Sequence, residues 1–332
     1  MKDTALVIGM TGGIGGSTAR ALLARGFRVR ALTRSGRPPQ RGVEWVIGDA
    51  MNPADVLNAA QGCDVIVHGA NPPKYRNWRG LALPMLANTI AAAKLVGATI
   101  VFPGTVYNFG PDAPALVDEQ APQNPLTRKG AIRVEMEQML RAASRAGARV
   151  LIVRAGDFFG PGAGSSWFSQ GLIRTGRPLA GVSYPGDRDA GHAWAYLPDL
   201  AEAIAMLVQR RHEFAAFETF HFEGHWLPRG VQMAEAICDV AGLPHARISS
   251  FPWWAVRLVS PFMEMFREML EMRYLWQREV RLDGRKLGAV LGREPRTDLR
   301  DAVRDTLVSL GCLGAESQAA GYKPRKWSRM QA

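Results

Sequence analysis

The chain has 332 residues, 47% hydrophobic and 21% charged, enough for one large domain or two coupled lobes whose core needs neither disulfides nor a metal. Its net charge is +11, yet the 41 Lys and Arg are spread along the whole chain and form no nucleic-acid-binding motif. An anionic small molecule and a generally basic surface account for that charge better than a nucleic acid does.

In chain order, "ALVIG" (5–9) is a short apolar run ending in glycine, as expected of a buried parallel strand. A helix follows through "GSTARALLARG", closed by Gly26. "FRVRALTR" and "VEWVIGD" (43–49) read as strands, "ADVLNAAQGC" as a short helix and "DVIVHGA" (64–70) as another buried strand. "LALPMLANTIAAAKLVG" is helical and leads into the strand "TIVFPG". "RKGAIRVEMEQML" opens a long helix ending near Gly147, before the strand "RVLIVRAG" (149–156). This alternation predicts an α/β fold: a Rossmann-type, doubly wound parallel sheet with helices on both faces.

After about residue 165 the pattern loosens. "WFSQGLIRTGRPL" reads as a helix and turn, "HAWAYLPDLAEAIAMLVQR" as a strand then a helix, and "FETFHFEG" as a strand. "VQMAEAICDVAG", "FPWWAVRLVSPFMEMFREMLEMRYLWQ" and "DLRDAVRDTLVSLG" read as helices. The expected organisation is a dinucleotide-binding core over 1–165, to which 190–225 return. A smaller, mostly helical substrate lobe takes 166–189 and 226–320, and 321–332 form a basic, mobile tail. Cys63, Cys238 and Cys312 stand far apart without a CxxC, against a disulfide framework or zinc site. The opening "MKDTALVIGMTGG" lacks a signal peptide's apolar core, and no apolar run approaches the roughly 20 residues of a bilayer span. A cytoplasmic location is expected.

"GMTGGIGG" sets Gly9, Gly12 and Gly15 at GxxGxxG spacing between the first strand and the first helix, with Thr11, Gly13 and Ile14 between them. Glycine permits the tight turn and close approach to a pyrophosphate, while the helix N-terminus supplies N–H donors and a positive dipole end. An NAD site normally ends the second strand with an acid that holds the ribose 2′-hydroxyl. Here "ALTRSGR" offers Thr33, Arg34 and Ser35, with Arg37 and Arg41 nearby. A guanidinium forks onto a 2′-phosphate that a carboxylate would repel, so NADP is favoured, with NAD the alternative. Asp49, next to Ala50, either accepts from an adenine amino group or caps the following helix. Gly69 and Ala70 end the fourth strand and let a cofactor lie against bare backbone; His68 reads as a satisfied core histidine.

The order GMTGGIG, a GD after the third strand, VIVHGA, "FPGTVYNFG", "RAGDFFGPG" and "AYLPDLAEAI" resembles the extended short-chain dehydrogenase/reductase family, which includes nucleotide-sugar epimerases and dehydratases. The resemblance covers about 5–225 and returns near "LDGRKLGAVLGREPRTDL". It implies hydride transfer at a hydroxyl or carbonyl carbon of a small molecule, either a sugar nucleotide or an apolar-bearing carbonyl compound. It also implies a homodimer through the two long helices. In that family a Ser or Thr after the fifth strand, a Tyr and, one helical turn later, a Lys form the active site. Here Lys129 falls on the Tyr position and Arg133 on the Lys position. The serine position offers Pro103 and Gly104, with Thr105 and Tyr107 the nearest hydroxyls.

Three readings stand. In a modified enzyme, Arg133 holds the nicotinamide ribose and Lys129 shuttles the proton, its affinity for that proton lowered by a dry cleft and the neighbouring arginine; Thr105 or Tyr107 then contacts substrate. In a catalytically silent protein, NADP is bound as a signal. In the third, Lys129 and Arg133 are a solvated charged face.

The resemblance also places Asp157 on the nicotinamide side, though it equally suits a loop cap. His192, Trp194 and Tyr196 lie on one strand face, beside substrate or simply packed. Asp199 is expected to cap the helix after it. The Trp- and Met-rich segment from 251 to 276 reads as lobe core or as the lid of an apolar pocket.

Overall fold

The computed structural model describes residues 2–72, 77–243 and 246–313, so the tail expected at 321–332 and the end of the expected lobe at 314–320 lie outside the described residues. The first half runs β1 (Thr4–Ile8), α1 (Gly13–Ala24), β2 (Arg28–Thr33), β3 (Val43–Ile47), α2 (Pro53–Ala60), β4 (Val65–His68), α3 (Trp78–Val96), β5 (Thr99–Thr105), β6 (Leu116–Val117), α4 (Arg128–Arg145), β7 (Arg149–Ala155) and β8 (Asp157–Phe159). It continues with β9 (Val182–Tyr184), β10 (His192–Tyr196), α5 (Leu197–Gln209), β11 (Phe217–Phe222), β12 (His225–Leu227), α6 (Gln232–Val240), β13 (Ile248–Ser250), α7 (Trp253–Val259), α8 (Glu264–Met272), β14 (Arg281–Leu282), α9 (Arg285–Leu291) and α10 (Leu299–Ser309).

Seven strands form the main sheet in the order β3-β2-β1-β4-β5-β7-β11, every pair parallel. Alternate residues of β1 face opposite sides: Ala5 and Val7 join an apolar cluster with Leu22, Leu200 and Ile204 of α1 and α5. Leu6 and Ile8 join another with Val56, Leu86 and Met136 of α2, α3 and α4. Both faces are covered, which is why the strands read as unbroken apolar runs. The order reverses between β1 and β4, and such a switch opens a crevice outside the strands' carboxyl ends. The fold is the doubly wound Rossmann type.

Three smaller sheets, β12-β10-β8, β13-β9 and β14-β6, sit beyond the main one. Most of their strands run to only two or three residues, too short to show an alternating pattern. The first two cover a third apolar cluster containing Phe159, Phe168, Trp194, Ile237, Trp276 and Leu307, while Val117 and Leu282 of the last join a fourth with Phe109 and Leu275. Every residue of β10 is buried, so His192 and Trp194 are packed groups, with the His192 ring stacked 4.1 Å from Trp276.

One expected cap, that of Asp199, and one of the two readings left open for Asp49 are corrected. Asp199 lies inside the first turn of α5, whose N-cap is Tyr196; its carboxylate accepts from Thr297 N–H at 2.6 Å and Thr297 Oγ1 at 2.8 Å. The cap of α2 is Asn52, whose side chain accepts from Ala54 N–H. Asp49 instead closes a tight turn by accepting from Met51 N–H at 2.9 Å. No helix among the described residues is long and apolar enough to cross a membrane.

Candidate functional site

The glycine turn is built for close approach. Gly9 follows β1 with φ +88, a conformation that side-chain-bearing residues rarely adopt. A Cβ there would lie 2.7 Å from the Gly69 carbonyl carbon and 2.8 Å from Ala70 N, at the end of β4. A Cβ on Gly15 would fall 2.3 Å from Gly9 O. The first turn of α1 thus rests on the carboxyl ends of β1 and β4, at the topological switch. Gly12 is the N-cap of α1, no side chain caps the helix, and its first N–H groups remain for an anion. Ile14 points into the core, while Thr11 is exposed on the turn.

Arg34 stands exposed immediately past β2 with no carboxylate partner among the described residues. The Thr33 hydroxyl donates to Ser35 O at 3.0 Å. Beyond β3, the Ala50 carbonyl accepts from Asn88 Nδ2 at 2.9 Å, fixing the loop that carries Asp49. His68 is buried and neutral; its Nδ1 meets Thr89 Oγ1 at 2.8 Å, and burial, then Arg133, pushes its pKa down to about 3.

Lys129 and Arg133 are not a solvated face. They are 3% and 5% exposed in the first turns of α4. The bare Gly130 lets α4 press onto the β5 loop, since a Cβ there would sit 2.3 Å from Tyr107 O. Lys129 Nζ lies 3.4 Å from Glu268 Oε2 of α8 and 5.7 Å from the centre of the Trp78 ring. Burial lowers the lysine pKa to about 8, against the upward pull of Glu268, Glu271 and Glu264; Arg133 is not among the causes, contrary to the sequence expectation. The Arg133 guanidinium lies over Phe102 and Trp78 and donates through Nη2 to Asn71 Oδ1 at 3.0 Å. Its Nη1 points to Pro103 O at 3.5 Å, and its buried Nε meets no partner among the described residues. Burial brings its pKa to about 10, so it stays charged at neutral pH.

Lys129 and Tyr107 line a cavity of about 180 Å³ walled by Trp167, Phe251, Phe266 and Met269. Thr105 ends β5 behind them, its Oγ1 accepting from Tyr107 N–H at 3.2 Å. Asp157 does not line this cavity; its Oδ2 is 2.9 Å from His192 Nε2.

Residues 5–221 match the family model described as "NAD dependent epimerase/dehydratase family". The chain belongs to that family. Among its relatives, an uncharacterized protein y4nL of Sinorhizobium fredii is 29% identical over 242 residues, 65% of this chain and 66% of that one. A 3-diazoavenalumate denitrifying reductase of a Streptomyces species is 30% identical over 177 residues, 48% of this chain and 57% of that one. The chain thus spans under two thirds of the length of these curated relatives. The solved UDP-glucuronic acid 4-epimerase from Bacillus cereus, in complex with UDP-glucuronic acid and NAD, superposes with a TM-score of 0.72. That match has 16% identity and covers 92% of this chain and 98% of that one; it shows the shared fold. The family is one of NAD(P)-dependent oxidoreductases and epimerases of the extended short-chain type, and a nicotinamide dinucleotide is its cofactor class.

Behind Lys129 and Arg133 lies a buried polar network that sequence reasoning missed. Arg154, 1% exposed on β7, donates to Glu137 of α4 through Nε at 3.0 Å and Nη2 at 2.6 Å. Asn108 Nδ2 and Gln123 Nε2 also donate to that carboxylate, at 2.9 and 3.1 Å. Arg154 Nη1 is 3.0 Å from His221 Nε2, and His221 Nδ1 is 3.0 Å from Val117 O, so the imidazole is neutral and links β11 to β6. Its pKa is pushed down to about 3 by burial and by Arg154. This network locks α4 against β7 and so fixes where Lys129 and Arg133 stand. Glu268 was also missed, although Glu264, Glu268 and Glu271 recur at i, i+4, i+7, one face of a helix.

Proposed function

We propose that the chain is an NADP-dependent oxidoreductase acting at a hydroxyl or carbonyl carbon, with Lys129 in the place of the family tyrosine. The observation that carries this is a buried lysine, its pKa lowered to about 8, beside a cavity and one turn before Arg133. A general acid or base works best when its pKa lies near the working pH.

The glycine cradle, the uncapped start of α1 and the unpartnered Arg133 Nε all fit a dinucleotide. Gly9, Gly12 and Gly15 would face its pyrophosphate, with Gly13, Gly69 and Ala70 closing the backbone around it. Arg34 would meet the 2′-phosphate and Asp49 the adenine end, while Arg133 would hold the nicotinamide ribose. The dinucleotide supplies or accepts hydride at the substrate carbon. Lys129 does the complementary work: as ammonium it donates a proton to the oxygen of a carbonyl being reduced, and as amine it removes one from a hydroxyl being oxidised. Tyr107, and Thr105 behind it, orient that oxygen. Residues 166–189 and 226–313 supply the substrate side, with α7 and α8 as its lid.

The test is NADPH consumption over a carbonyl panel. Lys129→Ala should lower turnover by about 10²- to 10⁴-fold, the usual weight of general acid–base catalysis, with cofactor affinity nearly intact. Arg133→Ala should weaken cofactor binding. Wild-type turnover in Lys129→Ala would remove Lys129 from the chemistry. The Lys129–Glu268 ion pair favours one other reading, a silent NADP-binding protein whose ammonium is structural. Equal binding of NADP and NADPH with no turnover on any substrate would select it.

A further inference from the structure

We propose that the cavity under α7 and α8 takes an uncharged aryl or alkyl carbonyl compound, or the matching alcohol, and not a nucleoside diphosphate sugar. This rests on the reading of Lys129 as the proton-transferring group and names the substrate class of that site.

The walls come first. Trp167, Phe251, Phe266, Met269 and Met272 present ring and thioether surface to the cavity. Trp167 is held rigidly, its ring centre 6.1 Å from Phe251, 6.0 Å from Trp253 and 5.3 Å from Trp276. Such a surface gains by covering apolar area and stacking on a flat ring, without reordering itself. Two of the polar side chains on the wall are already engaged. Ser166 Oγ donates to Ala163 O at 2.9 Å, and Gln170 Nε2 donates to Gly164 O at 3.4 Å. Polar function is therefore concentrated at the Lys129 and Tyr107 end, where a single oxygen would sit.

Charge is the second argument. Among the described residues lining the cavity, Lys129 is the only cation, and Glu268 already faces it at 3.4 Å. Glu264 and Glu271 act on Lys129 from the same helix, and Arg128 is paired with Glu271. A diphosphate would meet a wall whose one cation already has Glu268 against it, and would lose its hydration without a matching partner. Size agrees. A dry cavity of about 150 Å³ holds a benzene ring. One of about 180 Å³ takes a ring-sized group, with any longer tail leaving through the mouth.

The experiment is calorimetry on the full chain, with and without saturating NADP, titrated with 4-phenylbutan-2-one and, separately, with UDP-glucose. The ketone should bind with a negative heat-capacity change and UDP-glucose should give no heat. Met269→Gln and Trp167→Ala, each checked by thermal melting, should weaken the ketone by about tenfold or more. Met269→Lys, which adds a cation to the wall, should weaken the ketone and admit UDP-glucose. UDP-glucose binding to the wild type more tightly than the ketone would overturn the proposal. So would ketone binding that both folded wall variants leave unchanged. Ketone binding with no NADPH consumed when NADPH replaces NADP upholds this substrate class while counting against Lys129 as the proton donor, so the two readings fail separately.

Discussion

The Lys129 ammonium lies 3.4 Å from the Glu268 carboxylate, joining the first turn of α4 to α8. The neighbouring contact repeats the theme, since Glu271 accepts from Arg128 N–H and pairs with its Nε, both at 3.0 Å. The helix that covers the cavity therefore also sets the proton affinity of the group inside it.

That coupling predicts a pH profile. With a Lys129 pKa of about 8, carbonyl reduction, which needs the ammonium, should fall as pH rises through 8; alcohol oxidation, which needs the amine, should rise there. Glu268 raises the lysine pKa, so Glu268→Gln should move both limbs to lower pH. Tyr107, Arg133, Glu264 and Glu271 stay in place in that variant. Limbs that do not move would show that Lys129 is not the titrating group.

On the proposed function, Arg34 would decide between the two dinucleotides. A charge-assisted hydrogen bond contributes about 1.5–3 kcal/mol, so Arg34→Ala should raise the NADPH dissociation constant by roughly 10- to 100-fold and leave NADH nearly unchanged. Fluorescence titration with both cofactors reads this directly. An equal loss for both would assign Arg34 a different role.

Gly9→Ala tests the cradle. The new Cβ would fall 2.7–2.8 Å from backbone atoms of Gly69 and Ala70, at a φ of +88. Destabilisation on the order of 1–3 kcal/mol is expected, with loss of dinucleotide binding even where the variant remains folded. Denaturant melts and cofactor titration separate the two effects.

Glu137→Gln tests the network behind the site. Arg154 would keep one hydrogen-bonding partner on α4 but lose its buried counter-charge, a change that costs about 3–5 kcal/mol when the remaining ion is dry. Neutral His221 cannot supply the charge. An unchanged melting temperature would mean that water reaches Arg154.

The sheet and its glycine turn were legible because their signals are local: an apolar run, a glycine spacing, then a helix. The caps were not. An aspartate at a helix start meets whichever donor the fold delivers, and for Asp199 that donor is Thr297, distant in sequence. The burial of Lys129 was equally hidden, because α4 reads as amphipathic with its charges outward. The cover comes from α8, whose acids at i, i+4, i+7 were the one available hint. The small sheets escaped notice because strands of two or three residues carry no period.

The carboxylate that meets Arg128 belongs to a residue 143 positions further along the chain. During synthesis the parallel sheet through β11, with α1 and the α5 that covers it, leaves the ribosome before α8 does, so the wall beside Lys129 is completed last. Until then Glu268 is not there to face the Lys129 ammonium. On the proposed function, a nascent chain stalled between those two moments would have its cofactor cradle but not yet its tuned acid.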